Sequence, residues 1–189
     1  MAEKVVKIFW FVLLFVLGSV GVMFILPSFW VRFGFLIAAL LVLSWTARAG
    51  HRADVNSLSL ITAYVLSVAQ FGLHFYFRLP AWLLMATTFI WVWLIFWLSF
   101  KLRLGVVSSS SRILSLSAAV VAAEVVMALL FWPTHFLVTS TVFFLLFYLA
   151  WITANFYMNG LLNRHRMIIH LAFVAVLLLV VVATAKWTI

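Results

Sequence analysis

Residues 108–135 read SSSSRILSLSAAVVAAEVVMALLFWPTH. From Ile113 to Trp132 this stretch holds one ionisable side chain, Glu124, and it is bounded by a serine-arginine entry and a Pro133-Thr134 exit. A helix rising about 1.5 Å per residue needs roughly 20 residues to cross a hydrocarbon core about 30 Å thick. The stretch has that length, and Glu124 is the one side chain in it that strongly favours water over lipid. Ser108 to Ser111 reads as a flexible polar link.

The same cut can be made along the rest of the chain. Apolar runs from Ile8 to Leu26, Ser28 to Ala47, Ser57 to Phe77, Pro80 to Phe100, His135 to Tyr157 and Ile168 to Ala185 join Ile113 to Trp132 to make seven spans. Short links (Pro27, Arg78 with Leu79, Pro133 with Thr134) alternate with longer ones (48–56, 101–112, 158–167), as in helical hairpins joined by wider connections. Lys4 and Lys7 ahead of the first run resemble a secretory signal, but the run is longer than a signal core and no A-x-A site follows, so a retained first helix is expected.

Composition agrees. Of 189 residues, 69% are hydrophobic and 8% charged, whereas a soluble domain is about a quarter charged. Twelve Lys and Arg with three Asp and Glu cannot supply the polar shell that keeps apolar patches small in water. The expected fold class is therefore all-α integral membrane: a seven-transmembrane-helix bundle forming one domain over residues 1–189. The expected location is a cell membrane, of the prokaryotic cytoplasmic kind.

The net charge of +9 raises the question of a nucleic-acid partner. The basic residues occur singly or in twos and threes between the apolar runs, where topology-setting charges belong, so no nucleic acid is expected and the lipid bilayer is the natural counter-surface. With the N-terminus in the cytoplasm, nine of the twelve fall inside: Lys4, Lys7, Arg48, Arg52, Lys101, Arg103, Arg112, Arg164 and Arg166. Arg32, Arg78 and Lys186 fall outside, each close enough to a helix end to snorkel. The orientation read from this bias is N-in, C-out. Arg32 can instead turn inward to meet an outer anion.

Pro27, Pro80 and Pro133 are 53 residues apart both times, and each lies at a tight outer turn. Trp45, Trp97 and Trp151 come late in helices two, four and six, and Gln70 and Glu124 stand 54 apart. This spacing suggests three parallel helical-hairpin repeats, 1–53, 54–106 and 107–159, followed by a final helix at 168–185, related about an axis along the membrane normal. Two spans with a turn and a loop also occupy about 50 residues without any duplication.

Three residues are the candidate ligand- or ion-binding set: Glu124, Gln70 and His74. An acid inside a span is costly and commonly faces a bundle interior or a wet cavity on an ion, proton or ligand path; the plainer reading is a protonated glutamate bonding a neighbouring helix. Ser59, Ala63, Ser67, Gln70 and His74 form one stripe on helix three that should face protein, and it is the expected neighbour of Glu124. Ser115, Ala119 and Ala123 give helix five the small-xxx-small pattern of close packing, which suggests a central helix. Thr141, Tyr148 and Asn155 on helix six read as a packing seam.

The absence of cysteine excludes disulfides, thiolate metal sites and thiol nucleophiles. Among the five histidines, His74 and His135 lie at the outer level and His51, His165 and His170 at the inner, without matched ligand spacing, so neither a metal nor another cofactor is expected. No paired carboxylates, phosphate loop or nucleophile elbow is present, which argues against an enzyme. The function expected first is a solute- or ion-transport-related subunit with a polar site around Glu124. The alternatives are a non-catalytic membrane scaffold or assembly subunit and, behind it, an intramembrane lipid-modifying enzyme. A partner membrane subunit or a homo-oligomer suits the first two.

Overall fold

In the computed structural model the described residues are 2–49, 55–104 and 108–185, with side chains described over 9–44, 56–101 and 108–185. They form seven helices: α1 (Ala2–Ile25), α2 (Phe29–Ala49), α3 (Val55–Phe77), α4 (Ala81–Leu104), α5 (Ser109–Leu130), α6 (Phe136–Met158) and α7 (Arg164–Thr184). Each expected span has its helix. Five of them, α3 to α7, are long and apolar enough over their described residues to cross a membrane; the described apolar stretches of α1 and α2, Phe9–Ile25 and Phe29–Ser44, are shorter. Of the charges used to orient the chain, the side chains of Lys4, Lys7, Arg48 and Arg103, together with Arg52 and Lys186, lie outside the described residues.

Several helices begin earlier than the apolar runs, because hydropathy marks where lipid is and caps mark where helical hydrogen bonding starts. The Ser108 side chain accepts the Ser111 amide at 3.1 Å and starts α5 before Ile113. Asn163 accepts the His165 amide at 3.0 Å and starts α7 before Ile168. At the opposite end of the molecule, Arg32 neither extends to headgroups alone nor meets an acid. Its Nε donates to the Leu26 carbonyl at 2.7 Å, placing a cation against the C-terminus of α1, where the helix dipole is negative.

The central helix is α3, which packs against α1, α4 and α6; α5 packs mainly on α4 and more sparsely on α6. The α1–α3 seam is tight. A Cβ on Gly21 would lie 2.8 Å from the Ala69 Cβ, and one on Gly18 would lie 3.2 Å from the Leu66 backbone nitrogen. Contacts advance together along the two helices, from Gly18 with Leu66 to Gly21 with Ala69, so α1 and α3 run parallel.

Between α4 and α6 the filling is aromatic. Trp91, Phe96 and Phe100 of α4 interleave with Phe143, Phe147 and Trp151 of α6, with ring centroids 5.9 Å apart for Trp91 and Phe143 and 5.0 Å for Phe96 and Trp151. All six are buried. Units of the suggested repeat are joined differently: α1 packs on α3, whereas the main partner of α5 is α4. On the periphery, Ala39 is the buried apolar side chain described on α2, and Val174 the one on α7.

Candidate functional site

The α3 stripe faces protein, as its spacing predicts. Ser59, Ala63 and Ser67 are buried, and Gln70 and His74 are partly buried. In hydrocarbon a side-chain amide must find its partners within protein, and Gln70 finds several on α4. Its Nε2 donates to the Leu84 carbonyl at 2.9 Å and to the Thr88 hydroxyl, while its Oε1 accepts the Trp91 indole N–H at 2.9 Å. The amide orientation follows from chemistry, since a carbonyl only accepts and an indole N–H only donates.

His74 lies one turn further along α3. Its Nδ1 donates to the Leu79 carbonyl at 2.6 Å, which assigns the proton to Nδ1. The bond spans the turn in which Arg78 adopts φ +52, a left-handed conformation costly for a residue with a Cβ. The Arg78 amide in turn donates to the His74 carbonyl at 2.8 Å. His74 thus ties down the reversal from α3 into α4. A hollow of about 190 Å³ between α1, α3 and α4 touches Gln70 and Trp91.

Glu124 does not join them. Its side chain is exposed, and among the described residues it makes no hydrogen bond or ion pair. The expectation that it points into the bundle beside α3 is therefore corrected, and so is the central position of α5. The cause is helical arithmetic. At about 100° per residue, Glu124 lies about 180° around α5 from Ser115. Ser115 and Ala119 are both fully buried, so the helix that turns its small residues to α4 must turn Glu124 away. The two signals on this helix were incompatible, and packing followed the small residues. The structure brings Gln70 and His74 into one α3–α4 joint and leaves Glu124 apart, on an outer stripe with the exposed residues Ile113, Ser117, Val120 and Ala128.

On α6, the Tyr148 hydroxyl and His170 Nδ1 of α7 are 2.9 Å apart in a hydrogen bond. Asn155 is buried and its Nδ2 donates to the Trp151 carbonyl at 2.9 Å. His135 caps α6, its ring Nδ1 accepting the Leu137 amide at 3.4 Å.

A concavity wider than the hollow beside Gln70 was not expected from the sequence. A groove of about 660 Å³ separates α5 from α6, with Ala118, Ala122 and Val125 on one wall, Leu146, Ala150 and Ala154 on the other, and Val92, Phe96 and Phe147 in its floor. Its polar side chains are Ser117, Thr153 and Tyr157. Small residues on both facing helices, beside ring-rich stretches of α4 and α6, were its signal in the sequence. The aromatic filling holds α6 off, and the facing alanines leave the space open. The chain matches no protein-family model, no curated protein and no solved structure.

Proposed function

We propose that this protein is a non-catalytic, multi-pass subunit of a membrane assembly, which offers the outer stripe of α5 to a partner transmembrane helix. The observation that carries this reading is the exposed, unpartnered Glu124. A carboxyl group facing acyl chains is unfavourable when ionised, and when protonated it still leaves a donor unused. A partner helix carrying a lysine, arginine, histidine or side-chain amide relieves both costs. All seven helices span in this reading, N-in and C-out, in a prokaryotic cytoplasmic membrane. A reporter fused after Ile189 is expected outside and one inserted at Ser109 inside; both on one side would end the seven-span topology.

A second reading assigns the assembly to solute or ion transport, and a different feature favours it. Ser110, Ser117 and Glu124, at steps of seven, share one exposed stripe, so a covering helix would enclose a line of hydroxyls leading to a carboxyl. In that case Glu124 exchanges a proton or binds a cation, while Gln70 and His74 act only through the α3–α4 joint.

Photo-crosslinkers at Val120 and Ala128, which flank Glu124, test both readings in intact membranes. A protein adduct that disappears with Glu124→Leu and persists with Glu124→Gln supports the assembly. Persistence of the adduct with loss of ion flux in Glu124→Gln selects transport. Lipid adducts alone at both positions, with a monomeric protein, would remove the basis of either reading.

A further inference from the structure

We propose that the α5–α6 groove holds one acyl chain of an anionic glycerophospholipid, whose phosphate rests at the end of the molecule where α5 and α7 begin. Four observations point to this occupant. The first is access: Val121, Ala150 and Tyr157 line the groove and are exposed, so the groove opens sideways to the surroundings of the helices.

The second is length. Along α5 the lining runs from Leu114 to Val125 and along α6 from Phe143 to Tyr157, rises of about 16 and 21 Å at 1.5 Å per residue, against a hydrocarbon core about 30 Å thick. A spanning helix docked here would need a face along the whole of α5. The groove begins near the end of α6 and stops short of the opposite end of both helices, which suits a chain that enters at one surface and ends inside the core.

The third is the polarity gradient. Val92, Val125, Phe143 and Leu146 make the deep end wholly apolar, and the hydroxyls of Thr153 and Tyr157 belong to the last turns of α6, nearer the surface. A lipid has this order: a methyl end, a methylene chain and an ester region able to accept hydrogen bonds.

The fourth is charge. Leu162 closes the mouth of the groove, and the exposed Arg164 and Arg166 follow it at the start of α7. Arg112 stands in the first turn of α5, and neither first turn contains an acid. Basic residues at a membrane surface favour anionic headgroups, and the free amides of the two helix starts add to the same potential. A zwitterionic lipid fits the channel equally well but gains little from this mouth.

The test uses the full-length protein in nanodiscs of equal parts phosphatidylcholine and phosphatidylglycerol, followed by gentle extraction and native mass spectrometry. One phosphatidylglycerol is expected to remain on the wild-type protein in preference to phosphatidylcholine. Arg164→Ala and Arg166→Ala are each expected to reduce that preference about fivefold. Ala122→Trp and Ala150→Trp, which fill the groove, are expected to lower retention of either lipid by about tenfold or more, whereas Ala86→Trp on an exposed part of α4 leaves it unchanged. Circular dichroism confirms that each variant is folded. Because the wild-type preference needs no variant, equal retention of the two lipids by the wild-type protein overturns the proposal. So does undiminished retention in folded Ala150→Trp protein, or a dimer that Ala150→Trp dissociates, since the groove would then be an interface between copies.

Discussion

Small side chains line both the α1–α3 seam and the α5–α6 groove, with opposite results. Between α1 and α3, Gly18 and Gly21 meet Leu66 and Ala69 so closely that an added Cβ at Gly21 would lie 2.8 Å from that of Ala69. Between α5 and α6, Ser117, Ala118 and Ala122 face Ala150, Thr153 and Ala154 across a groove of about 660 Å³. Small residues permit close approach in a membrane but do not cause it. What decides is the third helix. No ring separates the α1–α3 glycine contacts, whereas the rings of α4 and α6 fill the space beneath the groove and keep α6 at arm's length from α5.

The strongest way to break this contrast is to remove the wedge. Trp151 is almost completely buried and its ring lies 5.0 Å from that of Phe96. Trp to Ala in a water-soluble core costs about 3–5 kcal/mol, but lipid solvates exposed rings nearly as well as protein does. Trp151→Ala is therefore expected to cost about 2–3 kcal/mol in denaturant unfolding from detergent micelles, and to let α6 settle toward α5. An unchanged groove in that variant would show that something other than the rings holds the walls apart.

Overfilling the seam comes next. Gly21→Leu is expected to cost about 1–3 kcal/mol in the same measurement, because the atom it meets, the Ala69 Cβ, is fixed to backbone. Full stability in this variant would mean that the seam is looser than the Gly21–Ala69 approach implies. Gln70→Leu follows: it strands the Trp91 indole N–H, which Gln70 Oε1 accepts at 2.9 Å, at one end of the wedge. An unsatisfied buried donor costs about 1–3 kcal/mol in water-soluble proteins, and interhelical bonds in membranes average nearer 1 kcal/mol, so a loss of about 1 kcal/mol is expected. A larger loss would mean that Trp91 leaves the ring stack altogether. The smallest effect belongs to the groove, where Ala150→Leu is expected to change stability by less than about 0.5 kcal/mol because its side chain enters open space. A cost like that of Gly21→Leu would erase the distinction between the two sites.

Much of the fold was legible because lipid imposes one length and one period. Apolar runs of about 20 residues separated by Pro27, Pro80 and Pro133 could only be helices, and the polar spacing from Ser59 to His74 placed α3 against protein. The candidate site was legible only in part. Gln70 and His74 carried a true signal of burial but bond to α4 and the following turn, and a partner that is a backbone carbonyl leaves no mark in the sequence. The desolvation cost of Glu124 favours burial but does not require it within this chain, and the fully buried Ser115 on the opposite face fixes which side of α5 is packed. The groove left only its small residues as a signal, and alanine facing alanine reads the same whether helices touch or stand apart.

The shared position of α3 also governs how the chain can assemble as it is made. During synthesis α1 emerges long before α3, so its glycine face has no mate while α2 is being completed. Once α3 arrives, its flank toward α6, where the Ser140 hydroxyl reaches the Ser67 carbonyl at 3.3 Å, waits for two more helices. The nascent protein must therefore hold α3 half-covered through the insertion of α4 and α5. Any insertase that shelters it would have to let go only when α6 enters, with α7, anchored through Tyr148 and His170, added last.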